Sequence, residues 1–147
     1  MIESLLNKPY WVIDILPEQV PANSAGQYFA VEKYWLQQPA YGELRRHFAD
    51  ILLKLNCYAD LSVCFADGDE FTANPVPGLL SSWILEAQKD LCILLPGENA
   101  LITLNHDDTC MTVYDPSDAL LDKLKPLVLS CGLFLWQPGQ ADRRLYP

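Results

Sequence analysis

Apolar and polar positions along this chain change period every five to fifteen residues, and each change marks an element. Tyr10 to Leu16 reads Tyr-Trp-Val-Ile-Asp-Ile-Leu, aromatic and β-branched, and it stands between Pro9 and Pro17. That composition between prolines predicts a strand. Residues 18–26 hold Pro21, Asn23 and Ser24 and read as loop. The aromatics Tyr28, Phe29, Tyr34 and Trp35 then predict a second strand over 27–36, hairpin-paired with the first, although its Ala-Val-Glu-Lys centre is neutral toward helix.

After Pro39 the period becomes helical. Leu44, Phe48, Ile51, Leu52 and Leu55 share about 100° of a helix's circumference, the width of a core-facing stripe. Tyr58 to Phe65 alternates as a strand and ends in the turn Asp67-Gly68-Asp69. The cluster Asn74-Pro75-Val76-Pro77-Gly78 breaks the chain before a second helix over Leu79 to Lys89, with Leu80, Trp83, Ile84 and Ala87 as its inner face. Three short apolar runs, 91–95, 100–104 and 109–114, are separated by turn residues and predict an antiparallel meander.

A last helix starts at Asp115-Pro116-Ser117-Asp118, where Asp115 suits the cap and Pro116 the first turn. Its stripe of Leu120, Leu121, Leu124, Leu127, Val128 and Cys131 runs to Gly132, a natural stop. Pro126 lies opposite that stripe and bends the helix without dividing it. Leu133 to Trp136 closes the pattern as a strand. The order β-β-α-β-α-β-β-β-α-β predicts an α+β fold, a largely antiparallel sheet with about three helices packed mainly on one face. The expected core is Val12, Ile13, Ile15, Phe48, Ile51, Leu52, Leu55, Val63, Ile84, Ile93, Leu94, Val113, Leu121, Leu124 and Val128.

Length and composition narrow the classes. At 147 residues the chain suits a single globular domain, 1–147, with one sizeable core. A hydrophobic share of 50% with 20% charged residues excludes a disordered chain. No apolar run approaches the length of a membrane span, and Glu3 near the N-terminus does not fit a secretory signal, so a cytoplasmic protein without membrane contact is expected. Ten basic against nineteen acidic residues give a net charge of −9, which argues against nucleic acid as partner. Five widely spaced cysteines without a C-x-x-C pair read as reduced, buried thiols.

Candidate chemistry is sparse. His47 has Glu43 and Asp50 within one helical turn, the arrangement of a base held by a carboxylate or of a surface charge network. His106 lies in Asn105-His106-Asp107-Asp108, where His106 with Asp107 or Asp108 offers catalysis and His106 with Asp108 offers metal ligands. The same residues are also those a turn requires. Asp67, Asp69 and Glu70 begin like a calcium loop but lack its later ligands, which favours a turn. No cysteine stands at a helix start or beside a basic residue, and phosphate-loop, dinucleotide and nucleophile-elbow signatures are missing, so no cofactor is implied. Arg45, Arg46 and His47, with Arg143 and Arg144 in the tail, form two small basic islands that read as salt-bridge partners or anion contacts.

Leu53 and Ala49 lie off the first helix's stripe, with Tyr41 and Trp35 close in sequence, and together they suggest a protein contact surface. The leading expectation is therefore a non-catalytic protein–protein interaction or regulatory module, self-association included. The alternatives are a small enzyme or ligand- or metal-binding domain around His106, and an acidic inhibitor or immunity-type protein for a basic partner.

Overall fold

The computed structural model describes residues 2–21, 23 and 25–139. Arg143 and Arg144 lie outside these residues. The element order is α1 (Ile2–Leu5), β1 (Tyr10–Asp14), α2 (Ala25–Leu36), α3 (Ala40–Leu55), β2 (Ser62–Phe65), β3 (Thr72–Ala73), α4 (Pro77–Leu85), β4 (Leu91–Leu95), β5 (Ala100–Leu104), β6 (Cys110–Tyr114), α5 (Asp118–Ser130) and β7 (Phe134–Trp136). All seven strands form one antiparallel sheet in the order β3-β2-β4-β5-β6-β1-β7. The fold is α+β, as the pattern predicted. Among the described residues no helix is long and apolar enough to cross a membrane.

The expected hairpin at the N-terminus does not form. Residues 25–36 are helical, and β1 pairs instead with β6 on one side and β7 on the other. A local reason is visible in Tyr28, whose hydroxyl donates to the Glu32 Oε2 at 3.1 Å, a reach between i and i+4 that only a helix supplies. Aromatic richness favours strands chiefly through packing on a half-buried surface, and here both places beside β1 are taken. Helix α2 and the four-residue α1 raise the helix count above the expected three.

The stripe of α3 performs as read. Leu44, Phe48, Ile51, Leu52 and Leu55 are all buried, packed with Ile13, Val63, Ile93, Ile102, Met111 and Val113 of the sheet and with Leu80, Ile84, Leu124 and Val128 of α4 and α5. The opposite sheet face carries a smaller cluster of Val12, Cys110 and Trp136. Of the expected core, Ile15, Leu94 and Leu121 are only half-buried. Leu94 sits on the face away from α3, because side chains alternate along β4 and Ile93 takes the inner side.

Helix α5 begins later than its proline suggested. Ser117 is the cap, its Oγ accepting from the Leu120 N–H at 3.1 Å, whereas Asp115 takes a left-handed φ of 54° and its N–H bonds to the Pro9 carbonyl. Gly132, at φ 75°, ends the helix: its N–H bonds to Leu129 O and the Leu133 N–H to Val128 O. This paired arrangement requires the left-handed residue that glycine accepts without strain. Ser117→Ala is expected to cost about 1 kcal/mol through loss of the cap, read as a shift in the urea midpoint. An unchanged midpoint would show that the cap is not what starts this helix.

Candidate functional site

The residue that assembles the site lies on α3. Arg45 follows Leu44 and sits four residues after Tyr41, so it faces inward and is only 1% exposed. Its Nε and Nη2 donate to the Ile84 carbonyl at 3.1 and 3.0 Å, and its Nη1 donates to the Asn105 carbonyl at 2.9 Å. Ile84 belongs to the last turn of α4, whose carbonyls have no partners within the helix and carry the negative end of its dipole. The guanidinium therefore closes the end of α4 and grips the β5–β6 turn. Among the described residues no carboxylate forms an ion pair with it. The expected pairing of Arg45 with surface charges is thus corrected: position 45 is on the inner side of α3, and backbone carbonyls satisfy it.

The turn it holds carries His106. The Tyr41 hydroxyl donates to the His106 carbonyl, and Asn105 Nδ2 donates to Asp108 Oδ2 at 3.0 Å. The anchor of the imidazole is a residue that no local pattern singles out. Asp90 Oδ1 accepts from both the His106 backbone N–H and Nδ1, each at 2.7 Å. Leu91 pairs with Leu104 in the β4–β5 ladder, which brings Asp90 opposite Asn105 and next to His106. The four-residue turn between β4 and β5 sets that register, so counting the hairpin out from its turn is the signal that finds this partnership.

The electrostatics follow from this contact. The Asp90 hydrogen bond lifts His106 above its ordinary 6.5. Burial alone would raise Asp90, but the two bonds from His106 outweigh it and hold the carboxyl below its ordinary 3.8. Stabilisation from His106 is complete below pH 6.5 and is lost as pH climbs through the raised value. Stabilisation from Asp90 is present above 3.8 and is lost as pH falls through the lowered value. Between those limits the pair is an imidazolium against a carboxylate. Behind it, Glu32 accepts from Tyr28 and from Thr109 Oγ1 at 3.1 and 3.2 Å, and burial raises both Glu32 and Asp108 above ordinary carboxyls.

Nδ1 is engaged, and His106 lines an open groove of about 450 Å³ together with Ala66, Asp67, Gln88 and Lys89. The side chains of His106 and Asp90 are 53% and 40% exposed. The pairing orients an imidazole as a general base would need. Among the described residues, however, no hydroxyl or thiol is hydrogen-bonded to the His106 imidazole, and no group of three histidine, cysteine or carboxylate side chains stands where a metal could be held. Asp107 is exposed and Asp108 accepts from Asn105, and neither side chain is hydrogen-bonded to the His106 imidazole. His47 lies apart from this groove, beside Leu44 and Glu43 in a shallow cavity lined also by Trp35 and Leu133.

The contact surface expected around Leu53 is not open. Ala49 and Tyr41 are buried, Trp35 is half-buried, and Leu53 packs against the core of its own fold. Helix α3 is flanked by both α4 and α5, so residues off its main stripe are covered from the sides. Exposed apolar side chains occur instead on α2, at Val31 and Tyr34, and from residue 71 into α4, where Phe71, Val76 and Leu79 are 43%, 69% and 43% exposed. A cleft of about 290 Å³ lies between the sheet edge and α4. Phe65 and Trp83 meet there edge-to-face at 5.1 Å, with Val63, Thr72, Asp69 and Glu70 completing the lining. Sequence reading missed this cleft because Phe65 and Trp83 belong to different elements.

No family model matches the chain, and no curated protein or solved structure is similar to it.

Two outcomes test this geometry. Arg45→Met leaves the Ile84 and Asn105 carbonyls without donors and is expected to cost about 3 kcal/mol in denaturant unfolding, with Arg45→Lys recovering only part. Asp90→Asn keeps an acceptor for the His106 N–H but removes the charge. The imidazole titration followed by NMR should then return toward 6.5 from its raised wild-type position. Identical titrations in the two proteins would show that the pair does not form in solution.

Proposed function

We propose that the protein is a non-catalytic protein–protein interaction module whose contact surface is the edge formed by β3 and the start of α4. The observation that carries this reading is the aromatic cleft lined by Phe65 and Trp83, with Val76 and Leu79 exposed at the adjoining start of α4. Large apolar side chains scattered singly are ordinary on a protein surface, but an aromatic-lined concavity with exposed apolar residues on the adjoining helix start resembles the anchor sites of interfaces. Tyr58, an exposed aromatic elsewhere on the surface, already has the Lys123 ammonium over its ring at 4.9 Å.

A second reading, a small-ligand or catalytic site at the His106 groove, is favoured by one observation, the carboxylate-oriented imidazole lining an open groove. It ranks behind the first because that groove supplies a base without a group for it to activate.

Selection of random heptapeptides displayed on phage against the full chain tests the two together. Amide NMR of the protein with the selected peptides should shift Phe71, Leu79 and Trp83, and Leu79→Asp should abolish binding while leaving the unfolding midpoint within about 0.5 kcal/mol of wild type. Selected peptides that shift His106 and Lys89 instead would transfer the function to the groove. Shifts confined to other surfaces would remove the β3–α4 edge from the proposal.

A further inference from the structure

Resting on that reading of the β3–α4 edge, we propose that its partner is an extended segment that adds as a strand to β3, seats one apolar side chain in the Phe65–Trp83 cleft and presents lysine or arginine to the cleft's acidic rim. The strand-addition part follows from the ladder. Asn74 N–H bonds to Leu61 O at 2.7 Å, and Ser62 faces Ala73 in the next register position. Directly opposed antiparallel residues alternate between pairs that exchange both bonds and pairs that exchange none. Ala73 therefore belongs to a non-bonded pair, and its N–H and C=O point away from β2. The other side of β2 agrees: Ala66 N–H bonds to Asp90 O at 2.9 Å, which makes Ser62 a bonded partner of Leu94 in β4. Strand β3 is the terminal strand of the sheet, so the outward groups of Ala73 form an open sheet edge. An extended peptide completes such an edge through main-chain bonds while its side chains enter neighbouring pockets.

The chemistry of that peptide follows from the lining. Val63, Phe65 and Trp83 call for an apolar anchor, whereas Asp69 and Glu70 at the mouth, with exposed Asp67 in the same turn, call for positive charge. The Lys89 ammonium, close to this lining, already lies 5.5 Å over the Phe65 ring. A second copy of this chain is the poorer occupant, because edge-to-edge pairing would bring two acidic rims together in molecules of net charge −9.

Three labelled heptapeptides alternating leucine with lysine, serine or glutamate are the probes, measured by fluorescence polarisation against the full chain with amide NMR in parallel. The lysine–leucine peptide should bind about tenfold more tightly than the serine one, with the glutamate one weaker still, and the advantage should shrink in high salt. Ala73→Pro removes only the outward N–H, which an edge strand tolerates, and should weaken lysine–leucine binding about tenfold without moving the unfolding midpoint. Asp69→Asn with Glu70→Gln should reduce that peptide to the serine level. If all three peptides bind equally and shift Trp83, the contact surface stands and the basic partner falls. Full binding by a folded Ala73→Pro variant overturns strand addition. If the lysine–leucine peptide shifts neither Ala73 nor Trp83, the partner and the surface fall together. A concentration-dependent dimer in sedimentation that Leu79→Asp dissolves would make the occupant a second copy and overturn the proposal.

Discussion

The arrangement of the helices over the sheet depends on one buried guanidinium. Arg45 enters the apolar interior from α3 with no ion pair among the described residues, and its charge is met by the Ile84 carbonyl at the end of α4 and the Asn105 carbonyl just after β5. A buried cation is tolerated only where hydrogen-bond acceptors replace the water it has lost. A helix C-terminus is a favourable place for it, since unpaired carbonyls and the helix dipole act in the same direction. One side chain thereby ties two helices to the β5–β6 turn. The Tyr41 ring, 5.9 Å from the guanidinium carbon, adds a polarisable wall, and its hydroxyl reaches the same turn.

What this clamp positions is a histidine with one nitrogen occupied. The 105–108 turn is held from beneath by Arg45 and Tyr41 and from the side by Asp90, so His106 has a defined orientation despite its exposure. Orientation alone does not make a reaction. A carboxylate-oriented imidazole becomes a catalyst when a nucleophile, a metal or a bound substrate completes it. The concave aromatic site lies elsewhere, at the β3 end of the sheet. There the chain leaves a very short edge strand uncovered, with apolar side chains beside it and carboxylates around it. Natural sheets blunt their edges with short strands and charge. Here both devices are present together with a cleft.

The five cysteines behave in the structure as small apolar side chains with weak donors. All are free, and only Cys57 is exposed. Cys64 donates to the Phe65 and Gly68 carbonyls at 3.2 and 3.3 Å, bracing the 66–70 turn that rims the cleft. Burial, with Asp69 and Asp67 nearby, pushes its thiol above the ordinary value, as burial does for Cys92. At Cys64 and Cys92 burial thus disfavours the thiolate, the reactive form, whereas Cys57 departs from the buried position expected of it.

Elements whose stabilising contacts repeat at a fixed period along the chain are legible in the amino-acid order alone. The α3 stripe from Leu44 to Leu55, the 91–114 meander and the Pro126-containing helix over the core are all of this kind, because each buries one face and periodicity records a buried face. The sequence by itself therefore determined the α+β class, the α3 core and the turn that carries His106. Tertiary structure decided the rest wherever a choice depended on residues distant in the chain. Helix over residues 25–36 prevailed over a strand because β1 already had β6 and β7 as neighbours, and Tyr28 found Glu32 and Thr109. Leu53, Ala49 and Tyr41 were covered by packing that no local pattern records. Asp90 met His106 across a register, and Arg45 turned inward because two carbonyls from separate elements converged on it. Phe65 and Trp83 became one cleft only when α4 settled beside β2. A chain displays its own periodicities, but a site made of single residues from several elements exists only once the sheet has brought them within hydrogen-bonding and van der Waals distance.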